Sequence, residues 1–228
     1  MRITHLWRYP VKSLGGEPLT STRVDRGGIP FDRQYIILDG DTKRKGKTLD
    51  ANLVAELLAY TASADNGSVS VRTPDALTFA VNEAFSSHLQ SALQRPLSIE
   101  SAKSASEPFH DEHDILVINA ASIRALSEEW GSPVNPLRFR PNIMIDGDDV
   151  PPYGENEWVG RTFQVGDALF EGAMLDARCA VTTIDPETLQ KRPDFLRLIV
   201  ERHNMCFGLY CRVRAPGRIE VGDEWQPQ

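Results

Sequence analysis

One cysteine of this sequence lies beside a positive charge that favours thiol chemistry. Cys179 follows Arg178 and precedes a turn that begins at Asp185-Pro186. The thiolate is the reactive form of cysteine, and a neighbouring cation and the backbone N–H groups of a turn stabilise it. A thiolate acts as a nucleophile or as a ligand for a soft metal ion. The alternative interpretation is that Cys179 packs as a small buried apolar residue.

The other two cysteines, Cys206 and Cys211, are predicted to pack in the core. They are five residues apart, and residues five apart on a strand point to opposite faces, which argues against a shared metal ion. Three unevenly spaced cysteines do not form the disulfide framework of a small secreted protein. We therefore expect a reduced, cytoplasmic location.

The segment His110-Asp-Glu-His-Asp114 groups two histidines with three carboxylates. These side chains are ligand types for zinc and other transition metals. Their spacing matches no standard metal motif, so we interpret the segment as a solvated loop that leads into a strand at Ile115. Its individual groups remain available to a site that other segments complete.

Basic residues also lie in three turns beside apolar strands, at Lys12-Ser13, at Arg33 and within Arg138-Phe-Arg-Pro-Asn142. Cationic side chains and free backbone N–H groups in turns bind phosphate or carboxylate. Each of these residues alone would be an ordinary exposed side chain without a binding role. Together with Cys179 they predict a site for an anionic, phosphate-bearing ligand with a thiol at its reactive end.

Charge and hydropathy exclude several other partners. The chain has 25 basic and 32 acidic residues and a net charge of −7. The one basic cluster, 43–47, is short and is interpreted as a solvated loop, so no nucleic-acid partner is expected. No window approaches the roughly 20 apolar residues of a membrane span, and the opening residues lack the apolar run of a signal peptide. We expect no membrane association.

Short strands separated by turns dominate the predicted elements. Asn66-Gly67 predicts a tight hairpin, and helical periodicity predicts helices over 82–93, 119–130 and 193–203. The fold class is therefore predicted as mainly β (α+β), without a doubly wound parallel sheet. The glycine-rich nucleotide-binding motifs are missing from the sequence, so neither NAD nor ATP is expected. Predicted strands lie at 3–9, 19–24, 34–38, 53–62, 69–72, 77–80, 115–118, 142–145, 161–165, 168–173 and 207–214, with a further strand residue at 139.

Five segments, spread over nearly the whole chain, together resemble the MOSC-domain family and occur in that family's order. The resemblance implies an N-terminal β-barrel-like domain over 1–95 and a MOSC β-barrel domain over 110–228, with a few helices. The polar stretch 98–112 would be a linker or a long loop, and a cofactor site would lie between the domains. The five segments are Tyr9-Pro-Val-Lys-Ser13, Phe139-Arg-Pro-Asn-Ile143, Arg178-Cys-Ala-Val-Thr-Thr-Ile-Asp-Pro186, Phe207-Gly208 with Tyr210, and Gly217-Arg-Ile-Glu-Val-Gly-Asp223.

The resemblance further implies a molybdenum cofactor of the molybdopterin type. Cys179 would bind molybdenum in a reductase, or carry persulfide sulfur in a sulfur carrier. Asp111 falls where the amidoxime-reducing members place an acid near the metal, and would relay protons. The residues implied to hold the pterin and its phosphate, or to line the same pocket, are Lys12, Ser13, Arg33, Arg140, Arg178 and Tyr210.

The sequence departs from the reducing members of the family at two places. Glu112 and His113 stand where those members carry small hydroxyl residues, and Ala177 replaces a hydroxyl residue before Arg178. An inward-pointing Glu112 carboxylate would repel a cofactor phosphate. The chain also lacks the cysteine cluster of an appended iron–sulfur domain, so no iron–sulfur cluster is expected, and no pyridoxal phosphate.

Three functions follow as hypotheses. The leading one is a molybdenum oxidoreductase that reduces N-oxygenated small substrates with electrons from a separate partner protein. The second is a sulfur carrier or transferase that uses a Cys179 persulfide in cofactor handling. The third is a binding module that keeps the barrel and lacks the chemistry.

Overall fold

The computed structural model describes residues 1–104 and 107–228, which divide into two compact units. The first unit contains Met1–Trp7, Pro18–Pro30 and His110–Gln228, and the second contains Arg8–Glu17 and Phe31–Phe109. Both units are therefore discontinuous in sequence. The linear division into 1–95 and 110–228 remains a prediction about sequence domains, whose bounds need not coincide with those of packing units.

Fifteen strands and three α-helices make up most of the regular structure in the described residues. The helices are α1 (Glu83–Leu93), α2 (Ala120–Trp130) and α3 (Pro193–His203). The strands are β1 (Arg2–Arg8), β2 (Glu17–Leu19), β3 (Ser21–Val24), β4 (Tyr35–Asp39), β5 (Thr61–Asp65), β6 (Ser68–Arg72), β7 (Thr78–Ala80), β8 (Leu97–Ser101), β9 (Ile115–Asn119), β10 (Ile143–Asp146), β11 (Thr162–Val165), β12 (Ala168–Ala177), β13 (Cys206–Ala215), β14 (Gly217–Glu220) and β15 (Trp225–Pro227).

The first unit is built around an eight-stranded sheet with the order β15-β11-β12-β13-β9-β10-β1-β2. All five residues of β9 are buried, as expected for a strand covered on both faces. β9 and β10 run parallel and are connected through α2, whereas β12 and β13 are antiparallel. α3 lies in the connection between β12 and β13. This placement brings the end of β12 beside the start of β13.

Two apolar clusters stabilise the first unit. In the larger cluster the rings of Phe163 and Phe170 lie 5.5 and 5.4 Å from the Trp225 ring. The smaller cluster packs α2 and α3 against the sheet, with the rings of Phe139 and Phe207 stacked at 4.2 Å. Buried aromatic rings contribute large apolar areas to a core.

The second unit contains the β4-β8 pair, the three-stranded sheet β5-β6-β7 and helix α1. Its core includes Leu14, Ile37, Leu57, Phe85 and Leu89, all fully buried. α1 begins where the Asn82 side chain accepts hydrogen bonds from the backbone N–H groups of the first turn. Apolar residues of α1 at helical spacing then reach this core.

The mainly β (α+β) fold class is confirmed. α3 has the predicted bounds, because Pro193 is favourable at the first helical position. The predicted hairpin at Asn66-Gly67 is confirmed, since both residues adopt positive φ and β5 and β6 pair on either side. Two-residue hairpin turns require this conformation.

Three predicted elements are wrong. Residues 55–59 form a 3-10 helix, Ala55–Ala59, instead of continuing a strand, because Ala, Glu and Leu favour helical over extended backbone. Phe139 ends another 3-10 helix, Pro136–Phe139, that the Asn135 side chain caps. Part of the predicted linker is β8, which pairs with β4 along Leu97 and Ile99. Residues 105 and 106 of that linker lie outside the described residues.

Among the residues that the structure describes, no helix is long and apolar enough to cross a membrane.

Candidate functional site

Cys179 lies two residues after the end of β12 and is exposed. It immediately precedes the 3-10 helix Ala180–Thr183, and its carbonyl accepts a hydrogen bond of 3.0 Å from the Thr182 N–H. On the other side, the Arg178 N–H donates to the Met205 carbonyl at 2.8 Å. The alternative that Cys179 is a buried apolar residue is therefore wrong. An accessible thiol is carried on backbone that is fixed on both sides.

The Arg178 guanidinium is held by several groups of the first unit. It pairs with Asp176, donates to the Phe139 carbonyl at 3.0 Å and lies 5.2 Å from the centre of the Phe139 ring. Its Nε also donates to Thr182 Oγ1 at 3.3 Å. Asp176 balances part of the positive charge that the sequence assigned to thiolate stabilisation, so this arginine also has a structural role.

Arg138 holds the backbone that follows Cys179. Its guanidinium donates to the Thr183 carbonyl at 3.2 Å and to Asp185 at 2.7 Å, and it lies 5.0 Å from the Phe195 ring centre. Burial lowers the pKa of Arg138, and Asp185 opposes that shift. The interpretation of Arg138 as an exposed hook for anions is therefore wrong.

Arg140 and Asn142 follow the 3-10 helix Pro136–Phe139. Arg140 adopts a left-handed backbone conformation with φ of 54°. Asn142 is buried, accepts a hydrogen bond from the Leu116 N–H at 3.2 Å and donates to the Trp7 carbonyl at 3.3 Å. This amide fixes the path of the chain just after Arg140.

Tyr210 and the 110–114 segment lie elsewhere along the sheet. Tyr210 lies on β13 opposite Met174 of β12, whereas Cys206 is opposite Ala177 at the end of β12 nearer Cys179. Its ring meets His113 edge-on at 6.2 Å. Asp111 is exposed in the bend before β9. The roles of Asp111 and Tyr210 at a cofactor therefore stay predictions.

The other groups of the 110–114 segment have separate partners. His110 lies 3.2 Å from the Gly27 carbonyl, and Asp114 accepts a hydrogen bond from the Val213 N–H at 3.3 Å. In residues 1–104 and 107–228, no three His, Cys, Asp or Glu side chains are grouped to hold a metal ion.

In the second unit, Arg33 is fixed much as Arg178 is in the first. It pairs with the fully buried Asp32 carboxylate and lies 5.0 Å from the Tyr9 ring centre. Asp32 also accepts a hydrogen bond of 2.7 Å from the Tyr9 N–H. Neither aspartate was predicted from the sequence to pair with its arginine, although each lies one or two residues before it.

Lys12 and Ser13 form a turn of the second unit. The Lys12 N–H donates to the Tyr35 carbonyl at 2.8 Å, which aligns this turn with β4. Ser13 is only 7% exposed, and its φ is 75°. Non-glycine residues rarely adopt positive φ, and such strain occurs often where a ligand is bound.

Three of the predicted cofactor-binding residues, Ser13, Arg33 and Arg140, have φ between 48° and 75°. A left-handed residue in a turn can point successive backbone N–H groups toward an anion. Cys179 supplies one soft thiolate, which suits a metal whose other ligands arrive with an organic dithiolene. By this chemistry, the Cys179 thiol fits a molybdenum cofactor.

The chain matches two family models. The MOSC domain family matches residues 105–226, and the MOSC N-terminal beta barrel domain matches residues 1–121. The chain belongs to the MOSC domain family.

Two named relatives cover nearly the whole chain. Human mitochondrial amidoxime-reducing component 1 is 25% identical, over 97% of this chain and 81% of that protein. Molybdenum cofactor sulfurase of Caenorhabditis elegans is 26% identical over 92% of this chain, which spans only 33% of the sulfurase. The crystal structure of YuaD protein from Bacillus subtilis shares the fold, with a TM-score of 0.53, 14% identity and coverage of 97% of this chain and 92% of that chain.

Proposed function

We propose that this chain binds a molybdenum cofactor through Cys179 and reduces N-oxygenated small molecules with electrons from a separate protein. The exposed Cys179 thiol on fixed backbone is the observation that carries the proposal. Family membership supports it, as do relatives named for amidoxime reduction and for the molybdenum cofactor. The bound cofactor would supply a metal centre that accepts an oxygen atom.

The chain's own residues would bind the cofactor and deliver protons. The Cys179 thiolate would bind the metal, and Arg140, Lys12, Ser13 and Arg33 would bind the pterin and its phosphate. Reduction of an N-hydroxyl group to N–H consumes two electrons and two protons and releases water. Asp111 would be the acid that supplies a proton, as the family resemblance implies, and it is exposed.

The proposal is tested with Cys179→Ser and the matched variant Cys206→Ser, both produced in a host that makes the cofactor. We expect near-stoichiometric molybdenum and reduction of a benzamidoxime in the wild type and in Cys206→Ser. Cys179→Ser should lose both. Its thermal unfolding midpoint should equal that of cofactor-free wild type, because the exposed side chain contributes little to packing. Unchanged molybdenum content and turnover in Cys179→Ser would refute the proposal.

A sulfur carrier is the second candidate, favoured by the accessible thiol and by the similarity to a cofactor sulfurase. In that function Cys179 would bear a persulfide and transfer the outer sulfur atom to an acceptor. Mass spectrometry of metal-free protein, incubated with a persulfide donor, should then find one additional sulfur atom on Cys179. Its absence under conditions that modify a known persulfide carrier would exclude this function.

A further inference from the structure

Three polar side chains of the first unit meet at the C-terminal end of α3. The Tyr153 hydroxyl donates to Glu129 Oε1 at 2.7 Å, and His203 Nε2 lies 2.9 Å from Glu129 Oε2. The rings of Tyr153 and His203 also pack at 4.3 Å. Glu129 is on α2, and His203 is the last residue of α3. One carboxylate thus connects two helices and the loop that carries Tyr153.

The surroundings of Glu129 favour its charged form. Burial alone would raise the pKa of Glu129, but hydrogen bonds from Tyr153 and His203 and the charge of Arg202 hold it below its usual value. Arg202 is 3.8 Å from the carboxylate and is largely exposed. Hydrogen bonds to an ionised acceptor are stronger than those between neutral groups.

The residues directly after His203 form a strained turn. Asn204 and Met205 both adopt positive φ, 50° and 66°. Methionine rarely adopts this conformation, and it persists only where surrounding contacts enforce it. The Met205 N–H donates to the Ile199 carbonyl at 3.2 Å, and the His203 contacts fix the residue before the turn.

This turn contacts the backbone beside Cys179. The Met205 carbonyl accepts the hydrogen bond of 2.8 Å from the Arg178 N–H, and Cys206 pairs with Ala177. The orientation of the Met205 carbonyl therefore fixes the backbone between the end of β12 and Cys179. A change in the position of His203 would therefore move the Asn204-Met205 turn, and the turn would move the backbone of Arg178 next to Cys179.

We propose that Glu129, Tyr153 and His203 are positioning residues that hold the Asn204-Met205 turn and, through it, the backbone of Cys179. Neither the family resemblance nor the motifs in the sequence identified these residues. The use of Cys179 as a metal ligand rests on the proposed function, whereas the positioning itself is a property of the protein chain alone.

Hydrogen exchange of the Arg178 amide tests the positioning in the full-length protein without cofactor. His203→Ala should accelerate this exchange about fivefold, as expected when a hydrogen bond that supports the acceptor is lost. His203→Gln should restore wild-type exchange, because the glutamine amide can donate to Glu129. Glu128→Gln, on the exposed side of α2, is the matched control and should leave exchange unchanged.

Three results would overturn the proposal. They are wild-type exchange in His203→Ala, equal acceleration in His203→Gln, or equal acceleration in His203→Ala at the Val71 amide of the second unit. If His203→Ala fails to fold, Tyr153→Phe decides, since it removes only the hydroxyl donor and should accelerate exchange about threefold. Wild-type exchange in Tyr153→Phe would then count against the network.

Molybdenum retention provides a second readout. Loaded His203→Ala protein should lose molybdenum faster than the wild type, and His203→Gln should not. Faster exchange at Arg178 with unchanged retention would confirm the positioning but contradict metal binding by Cys179. The failure of the two proposals is thus distinguishable.

Discussion

At the scale of single residues, two arginines predicted to bind the cofactor are held before any ligand binds. Arg33 and Arg178 each pair with an aspartate and lie against an aromatic ring. Preorganised side chains lose less entropy when they bind, since their orientation is already fixed. Arg138, although similar in the sequence, is buried under the segment that follows Cys179. Residue type and spacing in the sequence did not distinguish the buried Arg138 from Arg33 and Arg178.

Glu155 gives a pH-dependent prediction at the same scale. It is 1% exposed, accepts hydrogen bonds from Ser122 at 2.7 and 2.8 Å, and burial raises its pKa above the ordinary value of 4.5. Between about pH 4.5 and the higher pKa of the folded state, the folded protein therefore binds more protons than the unfolded protein. The free energy of unfolding falls as the pH rises through this range. Glu155→Gln should remove this fall.

We expect Glu155→Gln to gain stability relative to the wild type as the pH rises from 5 to 8. Urea denaturation at the two pH values measures the effect, and Glu128→Gln is the exposed control. A stability difference that is the same at both pH values would contradict the assigned cause.

At the scale of elements, the start of α1 depends on one side chain. Asn82 Oδ1 accepts hydrogen bonds from Ala84 at 3.0 Å and Phe85 at 3.3 Å. Asn82→Ala should lower the free energy of unfolding by about 1 kcal/mol, because these N–H groups lose their acceptor. Asn82→Ser, which keeps a capping oxygen, should remain near wild type in denaturant titrations. Equal losses in both variants would rule out capping as the cause.

The β13 strand requires a glycine at position 208. Gly208 has φ of 88°, and a Cβ there would lie 3.0 Å from Ile118 Cγ2 and 3.1 Å from the Val117 carbonyl oxygen. Gly208→Ala should destabilise the protein by more than about 1 kcal/mol. Gly131→Ala is the matched control, because φ there is also positive but nothing lies within 4 Å of the added Cβ. A larger loss in Gly131→Ala would refute crowding at Gly208.

At the scale of the whole molecule, the aromatic core of the first unit should dominate its stability. Phe170 is fully buried and packs on Trp225. Phe170→Ala should lower the free energy of unfolding by about 3–5 kcal/mol, since it leaves a cavity. Val200→Ala, on the exposed face of α3, should change it by less than about 0.5 kcal/mol. Tryptophan fluorescence during denaturation measures both free energies of unfolding. Similar losses in the two variants would contradict the dominant contribution of the aromatic core.

Much of the architecture was predictable because it depends on local patterns. Helical spacing of Phe195 and Ile199, with Pro193 before them, defines α3, and Asn66-Gly67 defines a hairpin. The strand β8 was missed because its alternation is limited to Leu97 and Ile99. Cys179 was recognised from its neighbours, whereas its exposure was known only from the structure.

The sequence by itself determined the mainly β class, the three helices, the candidate thiol and the family, because these depend on residue type, period and motif order. Only the tertiary structure decided that Arg138 is buried, that Asp176 and Asp32 pair with the two candidate arginines, and that Glu129, Tyr153 and His203 meet. Each aspartate lies one or two residues before its arginine, but only the folded backbone turns the two side chains toward each other. The Glu129 contacts join separate elements, 24 and 74 positions apart. These contacts and the burial of Arg138 depend on how helices and strands pack, which no local pattern encodes.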